Sequence, residues 1–272
     1  MIIDFHTHIF PDKIAAGAVS SLAKKGGIPP YSDGTEAGLI SALASAGASL
    51  AVNLPVLTKP EQFSGITQFA SNINEKYNTG GGILSFAGVH PDLPDPERAI
   101  DEIVRRGFLG IKIHPDYQGV FIDDDRYVRL LTLAKAAGLI TVTHAGFDVG
   151  FAGEEIKCTP VRTLRLLDKI GGYKKLVVAH LGGNMLFDDV YNELCGEDVY
   201  FDTGYILHEA THPQFMKILE KHGEDKILFA SDSPWRNILE EVEIIKSYDL
   251  KDAEEKLFSL NAIKLLGLKE KI

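Results

Sequence analysis

The chain has 272 residues, a formal net charge of −10, 45% hydrophobic and 24% charged residues. That acidic balance disfavours nucleic acid or an anionic membrane as the main partner, and no apolar run approaches the roughly 20 residues of a membrane span. Residues 1–10 lack the basic start and cleavage site of a secretory signal, and Cys158 and Cys195 form neither a CxxC motif nor a disulfide framework, so the expectation is a cytoplasmic protein acting on a small molecule, with self-association into a homo-oligomer left open.

In chain order, Ile2–His8 reads as the first strand. Residues 11–35, including KKGGIPPYSDG, read as a long loop and a candidate lid. EAGLISALASAG (36–47) sets Leu39, Ile40, Leu43 and Ala44 on one helical stripe. Strand-like runs follow at Leu50–Pro55, Ile83–His90 and Leu109–His114. The segment 123–138 begins with acidic cap residues and stops at Gly138. After the strand Ile140–His144, Thr159 and Pro160 give the N-cap and first-turn signature of a helix over 159–172. Runs at Leu176–His180, Val199–Thr203 and Ile227–Asp232 complete the set. Strands alternating with helices imply parallel pairing through right-handed crossovers. Eight units of about 34 residues, with no linker or low-complexity tract, predict one α/β domain over 1–272, a (β/α)₈ TIM barrel. A doubly wound sheet is the alternative, but the GxGxxG fingerprint is absent after the first strand.

The strand ends carry the chemistry. They read FHTH, GVHP, IKIHP, VTHAG, VAHLGG and FASDSPW, and six of the nine histidines fall there. His6 and His8 share a strand face because side chains alternate. In a barrel the C-terminal strand ends converge on one mouth, where catalytic residues sit. Convergent imidazoles and a carboxylate suit a borderline ion such as zinc. His6, His8, His144, His180 and Asp232 form the candidate cluster. Asp232 could instead cap the helix that follows, but it ends an apolar strand, KILFAS, at the mouth, and His90 and His114, each before a proline, read more simply as structural histidines. Asp4, on the same strand as His6, is expected to be buried and to need a partner. Of His208, His212 and His222, His208 is the best substrate-side candidate.

The ordered pattern IDFHTH, VTHAG, VAHLGG, FASDSPW resembles the amidohydrolase superfamily, and within it the branch of small metal-dependent barrel hydrolases that includes aminocarboxymuconate semialdehyde decarboxylase-like enzymes. The resemblance spans essentially the whole chain, including the closing NAIKLLGL. It implies one divalent ion, zinc before others, on His6, His8, His144 and Asp232, with His180 acting beside it.

On that reading Asp232 and His180 are the catalytic residues. The resemblance implies hydrolysis of a small amide, lactone or ester by metal-activated water, the commoner outcome in the superfamily. Decarboxylation of a small unsaturated or aromatic acid is the alternative. Lys112, His114, His208, Trp235 and Arg236 lie in or near the predicted mouth and are candidate substrate contacts, a cation there suiting a carboxylate. A binuclear hydrolase would need a carboxylated lysine at the fourth strand. Lys112 sits one layer below the rim, and the expectation is an unmodified lysine and one ion. A non-catalytic metal-binding barrel would be expected to lack His180 or Asp232, and both are present.

Overall fold

The computed structural model describes residues 1–77 and 81–268. Nine short strands run in the order β1 Ile3–Thr7, β2 Leu50–Asn53, β3 Gly82–Ser85, β4 Ala87–Gly88, β5 Gly110–Ile113, β6 Ile140–Thr143, β7 Leu176–Val178, β8 Tyr200–Asp202 and β9 Ile227–Leu228. Each pairs parallel with the next, except that β3 and β4 lie in different sheets. Together they are the staves of a (β/α)₈ barrel. Phe5 N–H donates to Phe229 O (2.9 Å) and Asp232 N–H to His6 O (2.8 Å), which joins β1 to the last stave.

The predicted strand Ile83–His90 is thus broken into two pieces at Phe86, where the packing is close. A Cβ on Gly110 would lie 2.4 Å from the Phe86 ring, and one on Gly88 would lie 2.7 Å from Pro55 O. The Phe86 side chain fills the space between staves at the bend, while its N–H still donates to Asn53 O at 2.9 Å. The other strands are shorter than their sequence runs. His144, His180 and Asp232 lie just past the strands, and His180 and Asp232 have φ of 60° and 69°. That left-handed backbone, uncommon for such residues, turns their side chains across the mouth.

One apolar cluster joins Ile3, Phe5, Val52, Phe86, Val142 and Val177. Residues from staves all round the sheet meet only in the barrel interior. A second, larger cluster packs the strands against the helices, with Leu39, Ile100, Leu130, Leu166 and Phe215 from five of them. Among the described residues no helix is long and apolar enough to cross a membrane.

The expected loop over 11–35 is corrected: most of it is helix α1, Asp12–Gly26. Asp12 in the first turn, Lys24 and Lys25 in the last, and Gly27 at φ 66° supply its start and stop. The glycine–proline run that suggested a loop begins only where the helix ends. α1 lies over the mouth, with Lys25 Nζ 3.3 Å from the centroid of Phe151 and 4.5 Å from that of Tyr117.

His222 shows how burial sets a pH limit away from the mouth. Its ring stacks on Phe201 at 3.8 Å, lies 3.1 Å from Val199 O through Nε2, and accepts from Gly196 N–H at 3.2 Å. Burial lowers its pKa to about 4. The unfolded chain therefore binds the extra proton between the unfolded value near 6.5 and the folded value near 4. The stabilisation is complete above that window and lost as pH falls through it, on the order of 3 kcal/mol. In urea melts of metal-free protein between pH 7.5 and 4.5, His222→Gln is expected to reduce the proton uptake on unfolding by about one. An unchanged slope would show that His222 titrates normally.

Candidate metal centre

β1 and the turn after β9 bring three groups together. His8 Nε2 is 3.1 Å and His6 Nε2 3.5 Å from Asp232 Oδ1. Asp4 ties the two segments. It is fully buried and accepts from Ser231 N–H (2.9 Å), Ser231 Oγ–H (2.5 Å) and His6 N–H (3.2 Å). It therefore holds the ligand-bearing backbone and does not touch either imidazole.

The imidazole tautomers follow from the far nitrogens. His8 Nδ1 lies 2.8 Å from the Leu54 carbonyl, which can only accept, so Nδ1 carries the proton. His6 Nδ1 lies 2.9 Å from Asp202 Oδ2 and donates to it. Both Nε2 atoms are then unprotonated acceptors facing the Asp232 carboxylate, that of His6 also meeting Lys112 Nζ. Three acceptors converging with no proton among them suit a cation, and the set of two imidazoles and a carboxylate fits a divalent ion. Burial, and next Lys112, lower the His6 pKa to about 4, which keeps the ring neutral for ligation. Burial opposes the charge on Asp232, but His6 and His8 outweigh it and bring the carboxyl down to about 2.

Lys112 is almost fully buried, and its Nζ lies 3.0 Å from His6 Nε2. Burial lowers its pKa to about 8. It reaches neither Asp4 nor a solvent-facing rim, and its ammonium sits at the floor of the site.

His144 is held by other groups at the mouth. Its Nδ1 is 2.9 Å from His180 Nε2, and its ring stacks on His114 at 4.1 Å. The atoms of His114, His144 and Asp148 form a cluster of their own, within 4.8 Å of one another. Burial puts the pKa values of His114 and His144 well below the usual imidazole range. His180 Nδ1 lies 2.8 Å from Gly204 O.

These groups and Trp235 line a cavity of about 560 Å³ beneath α1. Its remaining walls are mostly apolar, with Phe10, Ile14, Ile66, Phe69 and Phe147 among them. His208 and Arg236 are not among the lining residues. His208 Nε2 lies 3.0 Å from Glu241, and Arg236 pairs with Glu209 at 2.6 Å, so both expected substrate contacts are engaged elsewhere. His90 is also outside the cavity, accepting from Asp92 N–H at 3.1 Å.

Asp202 was not singled out from the sequence. It is fully buried, and besides His6 it accepts from His180 N–H at 2.9 Å and Gly204 N–H at 3.0 Å. Burial raises its pKa, but His6 and these donors bring it below the usual carboxylate range. The available signal was its place in FDTG, at the C-terminal end of the seventh predicted strand.

A parallel barrel whose mouth gathers imidazoles and carboxylates in an apolar cavity defines a metal-dependent barrel enzyme. The sequence profile of the amidohydrolase family matches residues 3–268, and the chain belongs to that family. Three solved structures are similar over nearly their full lengths. 2,6-Dihydroxybenzoate decarboxylase from Rhizobium has 15% identity, a TM-score of 0.71 and 98% coverage of both chains. IDCase of Metarhizium anisopliae has 15% identity, a TM-score of 0.74 and coverage of 100% of this chain and 98% of its own. 5-Carboxyvanillate decarboxylase from Novosphingobium aromaticivorans, with bound manganese, has 16% identity, a TM-score of 0.70 and coverage of 98% and 97%. At such identities the likeness is one of fold. A search of curated protein sequences found no match.

Proposed function

We propose that the protein is a metal-dependent carboxy-lyase that removes CO₂ from a small aromatic or unsaturated acid with an apolar body. The observation that carries this reading is the cavity: largely apolar walls, with the buried Lys112 ammonium at the floor beside His6, His8 and Asp232. An apolar acid would bury its body against Phe10, Phe69 and Trp235 and turn its carboxylate to the polar floor. The similar folds named above that carry decarboxylases support the same order. The sequence alone put hydrolysis first, on the general habit of the superfamily.

A divalent ion on His6, His8 and Asp232 would supply Lewis acidity and hold an oxygen of the substrate. Two imidazoles and a carboxylate accommodate zinc or manganese. The chain's own residues do the rest. Lys112 pairs with the substrate carboxylate and orients it. The apolar walls and α1 exclude water, which strengthens that pairing. In the reaction the carbon bearing the carboxylate takes up a proton and the C–C bond breaks, its electron pair staying on that carbon as CO₂ departs. Asp232 and His180 line the cavity and are the groups placed to hold and return the proton.

The test is a panel of aromatic and enoic acids run beside a panel of lactones, amides and esters, with zinc- or manganese-loaded protein. CO₂ release equal to acid consumed is expected, with Lys112→Met lowering kcat/KM about 10–100-fold, the worth of a charged hydrogen bond. Hydrolytic turnover with no CO₂ from any acid would return the reading to hydrolysis.

A further inference from the structure

The cavity is larger than a single-ring acid requires. A cavity of roughly 150 Å³ is enough to bind benzene, whereas this one encloses about 560 Å³. Two helices that carry none of the metal-site groups line it as well. α1 supplies Ile14 and Leu22, and the helix Phe63–Lys76 supplies Gly65, Ile66 and Phe69, with Gln62 just before it. Gln62, Gly65, Ile66 and Phe69 follow the i, i+3, i+4, i+7 spacing of one helical face. That face looks into the cavity, while Thr67, Ala70 and Ser71 of the same helix are buried. α1 is divided in the same way: Ala15 and Val19 are buried, and Ile14 is 56% exposed despite its apolar side chain. Apolar side chains left uncovered on two helices, and continuous with a polar floor, mark a surface that a ligand covers.

We propose that this arm, between Ile14 and Leu22 on one helix and Gly65, Ile66 and Phe69 on the other, holds an apolar tail of the substrate acid, an alkyl chain or a second ring, and that Gly65 sets the bulk admitted. The inference rests on the acid reading of the floor. With the carboxylate at Lys112, the rest of the molecule extends toward walls that offer burial and dispersion alone. Among the described residues, neither helix turns a charged side chain into the cavity, so a polar tail finds no partner there. Gln62 does not alter this, because its carbonyl accepts from the N–H groups of Thr58 (2.8 Å) and Lys59 (3.1 Å). Gly65 has no left-handed backbone that would demand a glycine, and glycine weakens a helix interior. A Cβ built on it would meet nothing within 4 Å. Neither backbone nor packing calls for the missing side chain, and what its absence leaves is open space in the arm.

Full-length zinc-loaded protein, titrated calorimetrically with benzoate and its para-alkyl derivatives up to butyl, is expected to gain affinity about two- to fourfold per methylene, the upper figure being that of a fully buried CH₂. Gly65→Leu fills the arm from a position with room for a side chain, so the ratio of butylbenzoate to benzoate affinity should fall to about one. A crystal of the wild type with butylbenzoate should show the chain between Ile14 and Ile66, a readout that needs no variant. Equal affinity along the series, or a chain that leaves the arm for solvent, or an arm covered by a second copy of the protein, would overturn the proposal. The readout is binding and stands apart from the reaction. A rising series with no CO₂ released from any acid upholds the arm and overturns the decarboxylase reading, and a flat series with CO₂ released does the reverse. No binding by any member overturns both.

Discussion

Asp232→Asn is expected to empty the His6–His8 centre while leaving the fold in place. Asn tolerates the left-handed φ of 69°, and the backbone bond from residue 232 N–H to His6 O does not depend on the side chain. What disappears is the negative charge that His6 and His8 face at 3.5 and 3.1 Å. Losing a direct ligand should weaken binding by more than the roughly 10–100-fold that an outer partner costs. Turnover should fall by at least ~10³-fold, since charge stabilisation by the ion and the proton-handling carboxylate go together. A second readout is thermal. An ion at 1,000 times its Kd stabilises the wild type by about 4 kcal/mol, and at this centre that gain should vanish in the variant. Undiminished metal content with an unchanged metal-induced shift in Tm would remove Asp232 from the ligand set.

The second large effect belongs to Asp202, and its two substitutions should behave differently. In Asp202→Asn the remaining carbonyl oxygen keeps the N–H groups of His180 and Gly204. The amide NH₂ must then face His6 Nδ1, which becomes the acceptor. The proton moves to His6 Nε2, where the ion should bind, so affinity is expected to fall about 10–100-fold with little change in stability. The logic is that of a catalytic-triad aspartate changed to asparagine, where geometry survives and the tautomer is wrong. Asp202→Ala abandons the donors altogether. It uncaps a turn in which His180 and Leu181 hold φ of 60° and 54° and leaves His6 Nδ1–H and the His180 and Gly204 N–H groups without an acceptor, at about 1–3 kcal/mol for each buried donor left unsatisfied. Metal titration separates the first outcome and urea melts the second. Equal metal affinity in wild type and Asp202→Asn would show that the carboxylate does not set the His6 tautomer.

The barrel was legible because parallel strands buried on both faces read as short continuous apolar runs, and the helices between them carry their own caps. The histidines were legible because they stand at matching ends of those runs. What escaped depends on contacts across the chain. Asp202 gains its meaning from a partner 196 positions away. The Phe86 ring packs against Gly110, a residue of another strand. His208 and Arg236 lie beside mouth segments in sequence, but Glu241 and Glu209 claim them in space. α1 was hidden because its apolar positions are sparse: Ala15 and Val19 are its only residues buried in the core.

The contact between Lys112 and His6 has a further consequence. His6 Nε2 owns one lone pair, and the lysine N–H occupies it at 3.0 Å. An ion and this ammonium therefore cannot be guests of that nitrogen at once. Without an ion the lysine acts as a placeholder, a counter-charge that offsets Asp232 inside the barrel. Arrival of the ion evicts it. The displaced ammonium keeps the field of Asp202, Asp232 and Asp148, but Asp232 is then shared with the ion and Asp202 is held by His6 and two backbone N–H groups. On the reading proposed above, a substrate carboxylate entering from the cavity would pair with it. On the proposed reading, an ion bound first would leave the Lys112 ammonium free to meet the acid.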